Sequence, residues 1–312
     1  MPAPGRPLAQ ALAEGAVVLD GGLSNQLADQ GCDLDDALWS ARLLADAPEQ
    51  IEAAHTAYVR AGARVLITSS YQATYEGFAA RGFARRETTA LLRRSVALAR
   101  AAARDRDDVW VAASVGPYGA MLADGSEYRG RYGLNIAALE RFHRPRIETL
   151  AEAGPDVLAL ETVPDTDEAE ALLRIVEDLG VPAWLSYTVE GGATRAGQPL
   201  EEAFRIAAGT DAVIAVGVNC CDPADAVRAV ETAAATVDRP VVVYPNSGET
   251  WDERARAWRG GSTFDAALAP TWQRAGARLI GGCCRVGPER ISALARALTP
   301  RPAGENRCPG RW

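Results

Sequence analysis

Eight short apolar runs, each followed by a stretch of helical period, constrain this chain more than any other feature. The runs are AVVLDGG (16–22), ARVLITSS (63–70), VWVAASVG (109–116), DVLALETV (156–163), AWLSYTV (183–189), DAVIAVGVNC (211–220), VVVYPNSG (241–248) and ARLIGGCC (277–284). Val, Ile, Leu and Ala dominate them and glycine or polar residues end most of them, as in strands buried on both faces. Helical segments lie between and after them at 48–62, 86–104, 135–154, 167–180, 199–209, 223–237, 264–276 and 287–298. Proline stands near several starts, and Gly62, Gly154, Gly180, Gly209 and Gly276 stand at ends, the usual helix punctuation. This alternation predicts an α/β chain folded as a single (β/α)8 TIM-type barrel with its helices outside. A doubly wound open sheet is the alternative. It needs a glycine-rich phosphate turn after an early strand, and LDGGLSNQL lacks that spacing. The expected organisation is an N-terminal extension over 1–15, a catalytic barrel over 16–299, and a flexible Pro/Gly-rich tail over 300–312.

The length of 312 residues suits one such barrel. Net charge is −8, from 33 Lys and Arg against 41 Asp and Glu, with no basic block. Nucleic acid and anionic membrane are therefore excluded as expected partners. No apolar run approaches the ~20 residues that span a bilayer, and the first residues lack the apolar core of a signal peptide. The expectation is a cytoplasmic protein. In a reducing compartment the six cysteines (Cys32, Cys220, Cys221, Cys283, Cys284 and Cys308) read as metal-binding or reactive rather than as disulfide staples.

Barrel enzymes work at the carboxyl ends of their strands. Those ends carry Asp20-Gly21-Gly22, Thr68-Ser69-Ser70-Tyr71, Glu161-Thr162, Asn219-Cys220-Cys221, Tyr244-Pro245-Asn246-Ser247 and Gly281-Gly282-Cys283-Cys284. In a closed barrel the sixth and eighth strands share one mouth, so cysteines 63 positions apart converge. Three thiolates suit Zn²⁺, and three protein ligands leave a fourth position open, as catalytic zinc sites do. The Gly281-Gly282 pair is expected to bend the backbone so that adjacent cysteines face one ion. The bland reading makes one of the two a small buried hydrophobe. Such an electron-rich site suits an incoming thiol, held as thiolate at neutral pH, and so alkyl transfer to sulfur. The two histidines, His55 and His143, lie in helical stretches and are not expected as ligands.

Taken together, DGG, SYQAT, SVGPYGAMLADGSEYRG, FHRPR, ETVP, GVNC, VVYPNSGE and ARLIGGCCR resemble the homocysteine S-methyltransferase family over residues 17–298, most nearly its bacterial S-methylmethionine-using members. The resemblance implies a zinc barrel that moves a methyl group from a sulfonium donor to homocysteine, giving methionine. It implies Cys220, Cys283 and Cys284 as catalytic zinc ligands, with Cys221 a departure from the family pattern. It implies Asp20 and Glu161 around the homocysteine ammonium, and the backbone at Gly21 and Gly22 near its carboxylate. Buried carboxylates at strand ends fit that role, since a desolvated lone cation is costly. A sulfonium donor favours aromatic faces, for which Trp39, Tyr71, Tyr118 and Tyr128 are candidates. Asn219 is expected against substrate or cysteine sulfur, with Asn246 in a similar role, and 117–135 as a lid over the mouth. S-methylmethionine and S-adenosylmethionine both remain open as donors. A monomer or weak homodimer is expected. On the same barrel, a thiol redox protein or a zinc store is the alternative.

Overall fold

The computed structural model describes residues 4–36, 38–252 and 257–299; the expected tail at 300–312, with Cys308, lies outside them. Eight parallel strands carry the fold: β1 (Val17–Val18), β2 (Val65–Ile67), β3 (Trp110–Val115), β4 (Val157–Val163), β5 (Ala183–Tyr187), β6 (Val213–Asn219), β7 (Val241–Tyr244) and β8 (Ala277–Ile280). Each pairs with its neighbour in sequence, and β8 pairs with β1. A parallel bridge between Leu19 and Val65 joins β1 to β2, with Arg64 N–H donating to Val18 O at 2.8 Å and Asp20 N–H to Val65 O at 3.0 Å. The sheet therefore closes on itself, and the open-sheet alternative is set aside.

Outside it run α1 (Pro48–Ala61), α2 (Arg85–Ala102), α3 (Ile136–Glu152), α4 (Thr166–Leu179), α5 (Leu200–Arg205), α6 (Pro223–Thr236), α7 (Ala269–Ala275) and α8 (Pro288–Leu298). All eight expected strand–helix pairs are present. All the strands but β4 stop short of their apolar runs at the carboxyl end, because residues such as Asp20–Gly22 and Gly281–Cys284 leave the ladder for the mouth. α5 finishes as the 3-10 turn Ile206–Gly209, and α7 is preceded by the turn Ala266–Leu268.

Side-chain alternation on the strands creates two concentric cores. Trp110 and Ala112 of β3 face the barrel interior, as do Val157 and Ala159 of β4; Val111, Ala113, Leu158 and Leu160 face the helices. Strands buried on both faces must be apolar throughout, which is why the runs show little polar alternation. The amino-terminal extension contains a helix, Leu8–Glu14, whose Leu8, Ala11 and Leu12 pack into the interior core. Trp110 Nε1–H donates to Arg6 O at 3.0 Å, so that end is closed with its buried indole satisfied. No helix among the described residues is long and apolar enough to cross a membrane.

Candidate metal and substrate site

At the opposite end of the barrel three cysteine sulfurs meet. Cys220 Sγ lies 3.2 Å from Cys283 Sγ and 3.7 Å from Cys284 Sγ, and all three fall within 4.8 Å of one another. None is in a disulfide. Three soft donors at this spacing can hold a metal ion. Cys221 belongs instead to the buried layer between strands and helices, where burial pushes its thiol up.

Backbone geometry separates the neighbours. Cys220 has φ +52°, in the left-handed region that a side chain rarely adopts, so the chain breaks from β6 there. Asn219 braces that break. Its Oδ1 accepts from Thr162 N–H at 2.7 Å and Ser186 Oγ–H at 2.8 Å, while Nδ2–H donates to Thr162 Oγ1 at 2.7 Å. Thr162 is also left-handed, at φ +59°. One amide thus ties the mouths of β4, β5 and β6 and is directed at those strand ends.

The doublet is aimed by a turn, and here the role expected of the glycines changes. Neither Gly281 nor Gly282 has positive φ; Arg285 does, at +62°, inside a turn closed by Val286 N–H donating to Cys283 O at 3.1 Å. Cys283 thus ends the strand extension while Cys284 sits on the turn. Gly281 and Gly282 are required for close packing: a Cβ on Gly281 would lie 2.5 Å from Leu19 Cβ, and one on Gly282 would collide with Val286. Gly22 answers to the same turn, since its Cβ would lie 2.6 Å from Cys283 O. Its N–H donates to Val286 O at 3.0 Å, and Gly21 packs tightly on Tyr58. Asn246 Oδ1 accepts from Cys284 N–H at 3.1 Å, so Asn246 holds the turn's backbone.

Buried thiols this close resist ionising together. Hydrogen bonds with Cys220 and Cys283 hold the Cys284 thiol well below its usual range, and those with Cys220 and Cys284 push Cys283 up. A cation removes that conflict.

Beside the sulfurs lie the two carboxylates. Asp20 is 1% exposed; its Oδ2 accepts from Ile67 N–H at 2.9 Å, while Oδ1 has no partner among the described residues. Burial raises its pKa well above the usual range, and the Glu161 charge raises it further. Glu161 accepts from Ser114 Oγ–H and, at 3.0 Å, from Tyr244 O–H. Burial still pushes it up to about 7, against those two bonds. Two buried carboxylates with an oxygen unmatched form a site that a cation completes. Tyr244 stands among the strand-end residues that the sequence offers, whereas Ser114, inside β3, does not. The signal was a polar atom inside a run otherwise buried on both faces.

Tyr71 follows β2 with its ring against Gly116, where a Cβ would come within 2.7 Å. Burial first, then the charges of Glu127 and Cys220, push its hydroxyl up. Tyr128 touches the cluster: its hydroxyl is 3.2 Å from Cys220 Sγ. Trp39 begins the 3-10 turn Trp39–Arg42 in the loop after β1, half-buried and with φ +48°. Tyr118 packs on Tyr132 and Phe142 at the root of the 117–135 segment.

That segment is held at several points. Asp165 Oδ2 accepts from Arg131 N–H at 3.0 Å, and Asp165 Oδ1 from Gln198 Nε2–H at 2.8 Å. Arg195 Nε–H donates to Tyr128 O at 2.9 Å. A buried relay secures its start: Arg146 donates to Gly116 O and His143 Nδ1, His143 Nε2–H to Glu168 Oε1 at 2.8 Å, and Tyr118 N–H to the same oxygen at 2.6 Å. His143 is therefore structural and neutral, its pKa lowered by burial. His55, buried in α1 and shifted to about 4 by desolvation, is likewise outside the sulfur cluster.

Comparison with known proteins agrees with this geometry. Residues 17–298 match the family model described as homocysteine S-methyltransferase. The chain is 44% identical over 290 residues to the Escherichia coli homocysteine S-methyltransferase, covering 89% of this chain and 94% of the relative. It is 42% identical over 296 residues to the Bacillus subtilis homocysteine S-methyltransferase YbgG, covering 89% and 93%. The metallated crystal form of the Escherichia coli homocysteine methyltransferase MmuM superposes with a TM-score of 0.85 at 42% identity, covering 93% of this chain and 99% of that one.

Proposed function

This chain belongs to the homocysteine S-methyltransferase family, and from that premise we propose that it makes methionine by moving a methyl group from a sulfonium donor to homocysteine, with Zn²⁺ held by Cys220, Cys283 and Cys284. The observation carrying the reading is the convergence of three sulfurs beside a buried pair of carboxylates, one of whose oxygens lacks a partner among the described residues. Four-coordinate zinc with Zn–S near 2.3 Å sets sulfurs about 3.8 Å apart. Two of the three separations, 3.2 and 3.7 Å, lie near that edge and the third is within 4.8 Å, so small side-chain adjustments let the donor set fit the ion. Nothing in the comparisons supports the redox or storage alternative.

When bound, the metal keeps the acceptor thiol as a thiolate at neutral pH. The rest falls to the chain's own residues. Asp20 and Glu161 hold the homocysteine ammonium, pairing a cation that a dry site otherwise excludes. Because Gly22 N–H is committed to Val286 O, the carboxylate contact is assigned to the Gly21 amide. Tyr71 and Tyr128 present aromatic faces to the positive sulfonium. The homocysteine sulfur attacks the methyl carbon in line, the donor's S–CH₃ bond breaks, and its electron pair leaves with the neutral thioether. No proton moves in this step, so alignment of two sulfurs about one carbon is the main demand on the protein. The 117–135 segment, pinned by Asp165 and Arg195, keeps water from the mouth.

The test is a donor panel. Zinc-loaded protein with homocysteine and either S-methylmethionine or S-adenosylmethionine should form methionine with at least one donor. No methyl transfer from either would overturn the reading.

A further inference from the structure

We propose that Tyr128 is a positioning residue that latches the 117–135 segment to the metal centre through Cys220, so that metal binding and docking of this segment strengthen each other. The inference rests on the reading of the three cysteines as the metal site. Among the described residues, Tyr128 is the one side chain other than a cysteine that hydrogen-bonds a sulfur of the cluster, at 3.2 Å. The contact is conditional by its chemistry. A metal-ligating cysteine has lost its proton, so the phenol must donate, and it donates to a charged acceptor. In the metal-free protein the same pair can be thiol and phenol, a weaker contact.

The other end of the latch is fixed to the barrel. Tyr128 ends the turn Ser126–Tyr128, and its carbonyl accepts from Arg195, whose guanidinium lies 6.0 Å over the ring. Arg131, three residues on, donates to Ala196 O at 2.7 Å. Between helix Tyr118–Leu122 and that turn the peptide is exposed and left-handed, with Ala123 at φ +54° and Gly125 at +80°. Opening there, with release of the Arg195 contact, carries Tyr128 away from Cys220. Linkage then requires reciprocity: if docking tightens metal binding by a given factor, metal tightens docking by the same factor. Loss of an outer hydrogen bond to a metal ligand costs about 10- to 100-fold in affinity, which sets the expected size at about tenfold.

Trypsin supplies the second readout, because Arg129 is exposed and directly follows Tyr128. Cleavage there needs local opening, and its rate follows the open population when reclosing is fast. Full-length wild type, Tyr128→Phe and Arg195→Gln are stripped of metal and titrated with zinc against a chromophoric chelator. Each is then digested with and without zinc, with fragments identified by mass. Tyr128→Phe should bind zinc about tenfold more weakly. Zinc should slow cleavage after Arg129 about tenfold in wild type and leave it unchanged in Tyr128→Phe. Arg195→Gln should be cut faster in both states while keeping the zinc effect. Wild-type zinc affinity and full zinc protection in Tyr128→Phe would overturn the latch. Wild type that binds no zinc would instead overturn the metal-site reading beneath it, and the latch with it.

Discussion

The two ends of the barrel are built from the same eight strands and follow opposite rules. At the amino end the helix Leu8–Glu14 closes the interior with Leu8, Ala11 and Leu12, and the Trp110 indole finds its acceptor. At the carboxyl end Asp20 keeps an oxygen without a partner among the described residues, burial pushes Glu161 up to about 7, and Thr162, Cys220 and Arg285 are left-handed. The first end is complete as folded. The second gathers charges and strained backbone that a bound cation and substrate complete, as sites of function do. One end therefore governs stability and the other chemistry, and substitutions should separate the two.

The largest effect is expected at the sulfurs. Cys283→Ala should remove the metal and, with it, methyl transfer, a loss beyond the roughly 100-fold of outer-contact substitutions. Metal analysis and methionine formation read it, and retained metal with normal turnover would erase the distinction between the ends. Next comes Leu12→Ala at the closed end. Truncating this buried leucine should cost about 2–5 kcal/mol in denaturant unfolding, while turnover of the folded protein at 25 °C stays at wild-type level. Glu161→Gln should weaken binding of methionine, a thioether product that needs no thiol chemistry, by about 10- to 100-fold, as for a lost bond to a charged group. Calorimetry reads the affinity, and metal analysis should find the zinc content unchanged. Smallest is the pH effect. Because Glu161 is raised to about 7 in the free protein, it is protonated below that value and must lose its proton to pair with an ammonium. Methionine affinity should therefore fall about tenfold per unit below pH 7 and level off above it. In Glu161→Gln this slope should flatten.

Periodicity made the fold legible, because two-face burial leaves an almost unbroken apolar run and eight such runs admit few closures. The extension's helix was less so: LAQALAE is too short to show its partner, and only the interior core reveals what Leu8 and Leu12 cover. At the site, sequence motifs named the residues but not their aim. Cys220 and Cys221 are identical in type, yet where the backbone turns left-handed at Cys220 one sulfur reaches the mouth and the other lies behind the sheet. The glycines of GGCC suggested bending, whereas the turn at Arg285 bends the chain and the glycines admit Leu19 and Val286. Asn219 pointed toward sulfur or substrate in sequence; its amide is taken by Thr162 and Ser186, contacts between strands that no linear pattern encodes.

X-ray absorption at the zinc edge of the purified protein tests the central claim most directly. The account predicts about one zinc per chain with three sulfur neighbours near 2.3 Å, and a fourth sulfur joining them when homocysteine is added. A sulfur shell that homocysteine leaves unchanged would contradict it.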